Sequence, residues 1–208
     1  MSSSSVISSM SDASLFCAAS VVVSLPASRT SFASAAVDSA APVVSSDKHA
    51  LQHKWDAYCH LPQSTDWSLA GYRAVFLGMA TAEDVISLCE AVPEAMLRFA
   101  MWFVMRSGVA PQWEDPRNRN GGSFSFKLLH RQVPEIWTNV FLALTGSSLC
   151  RNAQHHANVM GITISPKKNF CILKIWMTDC TLQSVDIFAD IPGLTKQKCL
   201  FRQHTPES

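Results

Sequence analysis

Two apolar runs, "NVMGITI" ending at Ile164 and "FCILKIWMT" beginning at Phe170, are separated only by the five residues "SPKKN". Runs of that length joined by so short a polar turn predict an antiparallel hairpin, and the rest of the chain must build around its sheet. A second pair is expected earlier, where "HKWDAYCHL" (His53–Leu61) and "GYRAVFLG" (Gly71–Gly78) flank the polar loop "PQSTDWS". "RFAMWFVM" (Arg98–Met105) predicts a buried strand. "GGSFSFKL" alternates Phe124, Phe126 and Leu128 with Ser123, Ser125 and Lys127 and predicts a half-buried one, and "KCLFRQH" predicts a last strand. Helical signals interrupt them. In "TAEDVISLCEAV", Thr81 stands as N-cap, Glu83 and Asp84 occupy the first turn, Val85, Leu88 and Val92 share a face, and Pro93 ends it. "VPEIWTNVFLALTG" has Pro134 at a helix start, a stripe of Ile136, Trp137, Val140, Phe141 and Leu144, and Gly146 placed as a cap. "LQSVDIFAD" suggests a third helix. The expected class is α+β, with helices on one face of a mostly antiparallel sheet.

At 208 residues the chain suits one domain. Residues 1–46 are dominated by Ser, Ala and Val without lasting periodicity, and the first basic residue is Arg29, which argues against a targeting peptide. We read 1–46 as a disordered tail and 47–208 as the folded domain. A formal net charge of +1 gives no global attraction to a polyanion, so any nucleic-acid contact is local. The seven cysteines form no C-x-x-C pair, which supports neither a zinc ribbon nor a disulfide framework. No apolar run approaches the ~20 residues of a membrane span. His155 and His156 are adjacent, project apart, and read as a surface pair, so no metal or cofactor is expected. No nucleophile elbow, Walker loop or G-x-G-x-x-G is present, and the chain is not expected to be an enzyme.

Six tryptophans stand at 55, 67, 102, 113, 137 and 176, and element patterning assigns 55, 102 and 137 to the core. Trp67 and Trp113 instead lie in polar segments between strands. Two converging loop indoles form a slot for a flat ring, preferably a cationic one. Glu114 beside Trp113 only accepts hydrogen bonds, which selects a ring edge with adjacent donors, as guanine has in N1–H and N2–H₂. Phosphates on such a ligand need cations. Lys167 and Lys168 in the hairpin turn, and Lys174, two residues before Trp176 on the same strand face, are the candidates.

"HALQHKW", Trp67, "TAEDV", "PQWEDPRNRNGG", "IWTNVFLALTG" and "LKIWMTDC" occur in an order and spacing that resemble the eukaryotic translation initiation factor 4E family. The resemblance runs from about His49 to the C-terminus. It implies a curved antiparallel sheet with about three helices on the convex face and, on the concave side, a slot for the 7-methylguanosine cap of messenger RNA. Trp67 and Trp113 would sandwich the base, Glu114 would pair with its edge, and Trp176 would lie against the N7-methyl group. It also implies a monomer that recruits capped messages to a scaffold of the initiation factor 4G type, or meets a regulatory binding protein, through its helical face. His49, Ile86 and Leu142 stand at that face. The expected compartment is the cytoplasm, with the nucleus second. The chain departs from the family pattern in four places. Ser123 stands where a basic residue follows the paired glycines, Ile172 where a phosphate-binding lysine is expected, Ile86 where a tryptophan meets the partner helix, and Ala50 where a proline is usual. Ile86 favours, as the alternative, a cap-binding repressor that does not recruit the scaffold.

Overall fold

The computed structural model describes residues 48–197 and 199–204, so the expected tail lies outside the described residues. Strand β1 (Ala50–His60) pairs antiparallel with β2 (Arg73–Thr81). Gly78 does not end β2. It sits inside it at φ +73°, its N–H donating to Asp56 Oδ1 at 2.7 Å beside a break in register, a bulge that glycine permits. The buried Asp56 carboxylate also accepts from Ser107 Oγ and the Gly108 N–H, so it is hydrogen-bonded on all sides.

The remaining strands are β3 (Met101–Arg106), β4 (Gly122–Leu128), β5 (Val159–Pro166), β6 (Cys171–Met177) and β7 (Leu200–Gln203). They form one curved seven-stranded sheet in the order β2-β1-β3-β5-β6-β4-β7, with every neighbouring pair antiparallel. Strand periodicity divides the apolar residues between its faces. Trp55, Ala57, Trp102, Val104, Phe124 and Phe126 enter a large core shared with the helices. Phe103, Met105, Val109, Met160 and Trp176 form a smaller cluster on the opposite side. Lys127 alone of the β4 polar positions is exposed, and Ser123 is buried, so β4 is more enclosed than its alternation suggests.

Helix α1 (Ala82–Ala91) begins at a capping box: Thr81 Oγ1 accepts from the Asp84 N–H, and Asp84 returns the bond to the Thr81 N–H. Helix α3 (Val133–Thr145) buries Ile136, Trp137, Val140, Phe141 and Leu144 as its stripe predicts. Its end differs. Gly146 keeps φ −78°, and the left-handed position falls one residue later, at Ser147 with φ 58°.

Three further expectations are corrected. Arg98 and Phe99 are not strand but the end of a short helix, α2 (Glu94–Phe99), for which Pro93 serves as N-cap; β3 starts only at Met101. The third helix predicted over "LQSVDIFAD" is a single 3₁₀ turn, Val185–Ile187. Its backbone bonds elsewhere: Arg151 N–H donates to the Ile187 carbonyl and Ala189 N–H to that of Leu149. With those groups engaged, helical pairing is lost. A further five-residue helix, α4 (Ala153–Ala157), was not expected, and it buries His156, so the histidines are not a surface pair. Burial, then the Arg106 and His53 charges, lower the His156 pKa to about 4.

Candidate ligand-binding site

Both loop indoles stand in solvent, Trp67 at 55% exposure and Trp113 at 37%, in a chain that buries its other four tryptophans. Trp67 rests on a built support. The His60 imidazole, itself buried, stacks on the indole with centroids 4.1 Å apart and planes 6° apart, and its Nε2 lies 2.9 Å from the Asp66 carbonyl oxygen. Tyr72 packs edge-on to both rings. The Gln112 side chain, next to Trp113, donates through Nε2 to the Trp67 carbonyl at 2.7 Å, so the two tryptophan loops are tied together.

The loop 107–121 owes its shape to residues beside Trp113. Asp115 accepts from the Ala110 and Arg117 N–H groups, and the fully buried Asn118 donates to the carbonyls of Ala110 and Gln112. Of the adjacent carboxylates, Asp115 is therefore structural. Glu114 is exposed and has no hydrogen bond or ion pair among the described residues. It lies close enough to Tyr72 that burial, and then the Glu114 charge, push the phenol pKa up to about 12. The paired glycines are steric necessities. A Cβ on Gly121 would lie 1.8 Å from the Met177 carbonyl oxygen, and one on Gly122 would lie 2.4 Å from the Phe201 ring.

Trp176 is buried at 7% exposure, its Nε1–H donating to Thr163 Oγ1 at 2.9 Å and its ring tilted against His204 at 4.8 Å. It is enclosed, unlike the two exposed indoles. Lys174 shares its face, facing Thr163 on β5 and Ser125 on β4. Burial, and then the Lys167 and Arg202 charges, lower the Lys174 pKa. Arg202 was not expected. It pairs in register with Ser123, which pairs with Trp176, so the three residues line one face across β7, β4 and β6. Lys168 is exposed in the hairpin turn, and none of Lys167, Lys168, Lys174 and Arg202 has an ion pair among the described residues. His60, Gln112 and Arg202 escape a reading of sequence because each acts through a loop contact or a strand register.

On the helical face Ile86 of α1 and Leu142 of α3 are exposed at 50% and 45%. His49 is tied to the first turn of α1: its Nδ1 lies 2.7 Å from Glu83 Oε1, and its N–H donates to the same carboxylate. That bond, first, holds the Glu83 carboxyl down at about 2. Glu83 and Ile86 lie one turn apart, which sets His49 on the same side as Ile86.

Comparison with known proteins places this geometry in context. The model of the family described as eukaryotic initiation factor 4E matches residues 50–203. The eukaryotic translation initiation factor 4E-2 of Schizosaccharomyces pombe is 26% identical over 163 residues, which cover 73% of this chain and 65% of the relative's length. A crystal structure of schistosome eIF4E complexed with m7GpppG and 4E-BP has a TM-score of 0.59 at 25% identity, covering 65% of this chain and 75% of that one. A second schistosome complex, with m7GpppA and 4E-BP, has a TM-score of 0.58 at 26% identity, covering 64% and 73%.

Proposed function

Since the chain belongs to the eukaryotic initiation factor 4E family, we propose that it is a non-enzymatic binder of the 7-methylguanosine cap of messenger RNA. The observation that carries the reading is the pair of exposed indoles, Trp67 and Trp113, whose loops are tied through Gln112, with the exposed carboxylate of Glu114, which has no hydrogen bond or ion pair among the described residues, next to one of them. Methylation at N7 makes guanine cationic. A cationic ring between indole faces gains stacking of about 1–3 kcal/mol, with roughly 2 kcal/mol more from charge when desolvated. Glu114 accepts from N1–H and N2–H₂ of the same base, and its charge favours the cation. Trp176 closes the floor at the methyl end, and Lys167, Lys168 and Lys174 meet the phosphates. The schistosome relatives, complexed with cap dinucleotides and 4E-BP, support both the ligand and a protein partner.

In this reading the protein recruits capped messages, in the cytoplasm, to a scaffold initiation factor through the face carrying His49, Ile86 and Leu142. Ile86 favours a second reading, a repressor that holds the cap without the scaffold, because isoleucine offers a partner helix less surface than an indole. The test is retention on immobilised 7-methylguanosine triphosphate, with Trp113→Ala and Glu114→Ala as controls. Retention of wild type and loss in both variants, with unchanged circular dichroism, is expected. Mass spectrometry of copurifying proteins then separates recruiter from repressor.

A further inference from the structure

Trp176 on β6 lies opposite Ser123 on β4, and Ser123 lies opposite Arg202 on β7, so the three side chains project from one face of the sheet. One position along that face, Lys174 on β6 lies opposite Ser125 on β4 and Thr163 on β5. Small side chains therefore separate Lys174 from Arg202. Two strand spacings put the Arg202 backbone roughly 10 Å from that of Trp176.

Strands β4, β6 and β7 carry no acidic residue. Arg202 is exposed and Lys174 half-buried, and neither has a side-chain hydrogen bond or an ion pair among the described residues. Lys127, the other cation on this face of β4, has its ammonium over the Phe170 ring at 4.3 Å. An arginine on an edge strand is by itself ordinary, since charge there deters pairing with another sheet. Arg202 is distinguished by its company. Burial, and then the Lys167 and Arg202 charges, lower the Lys174 pKa, so these cations stand close enough to repel one another. Like charges gathered without a counter-charge, on a face otherwise built of serine, threonine and tryptophan, fit an anion that offsets them.

The two positions on this face where a family cation is missing each have one nearby. Arg202 stands opposite Ser123, and Lys174 stands two residues along β6 from Ile172. We propose that Arg202 is a phosphate-binding residue of the slot, holding with Lys174 the phosphate chain of the nucleotide whose base stacks between Trp67 and Trp113. The inference rests on the cap-binding reading. Lys167, Lys174 and Arg202, as separate charges, match a chain of several anionic groups better than a single carboxylate. The guanidinium of Arg202 adds two parallel N–H donors, which orient a phosphate where an ammonium only attracts it.

The experiment is calorimetric titration of the full chain with 7-methylguanosine, 7-methylguanosine triphosphate and inorganic tripolyphosphate, in wild type, Arg202→Gln and Arg202→Lys. Wild type should bind the triphosphate more tightly than the nucleoside. Arg202→Gln should weaken the triphosphate by about tenfold, the low end for a charge-assisted pair because Arg202 is exposed. It should weaken tripolyphosphate as well and leave the nucleoside within twofold. Arg202→Lys, which keeps the charge and loses the planar fork, should fall between wild type and Arg202→Gln. The proposal is overturned if Arg202→Gln binds the triphosphate as wild type does. It is likewise overturned if that variant weakens nucleoside and triphosphate equally, which would make Arg202 a support of the base slot. If wild type binds neither nucleoside nor triphosphate, the cap reading fails instead, and the tripolyphosphate titration still decides whether Arg202 holds phosphate.

Discussion

His60 and Trp67 stack in parallel, 4.1 Å between centroids, and this contact turns a solvent-exposed indole into a fixed surface. An aromatic pair contributes about 0.5–1.5 kcal/mol beyond its burial. His60→Ala should therefore weaken binding of 7-methylguanosine triphosphate by roughly 2–10-fold, and His60→Phe, which preserves the stack, should retain most of it. Fluorescence titration of the two variants checks this, and equal loss in both would assign the effect to the Nε2 contact with Asp66.

Gly121→Ala introduces a methyl group against the Met177 carbonyl oxygen, with backbone on both sides. The expected cost is ~2 kcal/mol or more, which lowers Tm by at least about 4 °C for a domain of this size. Calorimetry measures it.

Burial and the neighbouring Arg106 and His53 charges lower the His156 pKa from 6.5 to about 4. The unfolded chain then binds a proton that the folded chain refuses, so stability falls as pH drops from about 6.5 toward 4. His156→Phe should flatten that acid limb, as followed by urea midpoints between pH 7 and 4.5.

Ile86 is exposed on α1, one turn from the Glu83 carboxylate that holds His49. Ile86→Asp should abolish copurification of a scaffold or regulatory protein and leave nucleotide affinity within twofold. Pull-down and titration on the same preparation separate the two effects.

Sequence periodicity was sufficient for the sheet and for α1 and α3, because strand alternation and a capped amphipathic stripe are local signals. "LQSVDIFAD" misled because its apolar residues dock singly while its backbone pairs with residues 149–151. α4 escaped because five residues carry too little periodicity, and the adjacency that reads His155 and His156 as a surface pair does not reveal that this short helix buries the second of them. At the candidate site, Trp67, Trp113 and Glu114 stood out as an indole pair and an acid in polar loops. His60 did not, since its role depends on how the 61–72 loop folds back over the end of β1. Arg202 required the register of β7 against Ser123, which only the folded sheet supplies.

The most direct test of the central claim is the ratio of affinities for 7-methylguanosine triphosphate and GTP, measured in wild type and in Glu114→Gln. A charge-assisted pair contributes about 1.5–3 kcal/mol, so the substitution should weaken the methylated nucleotide by roughly 10–100-fold. The account predicts strong preference for the methylated base in wild type and collapse of that preference in Glu114→Gln. Equal affinity of wild type for the two nucleotides would contradict it.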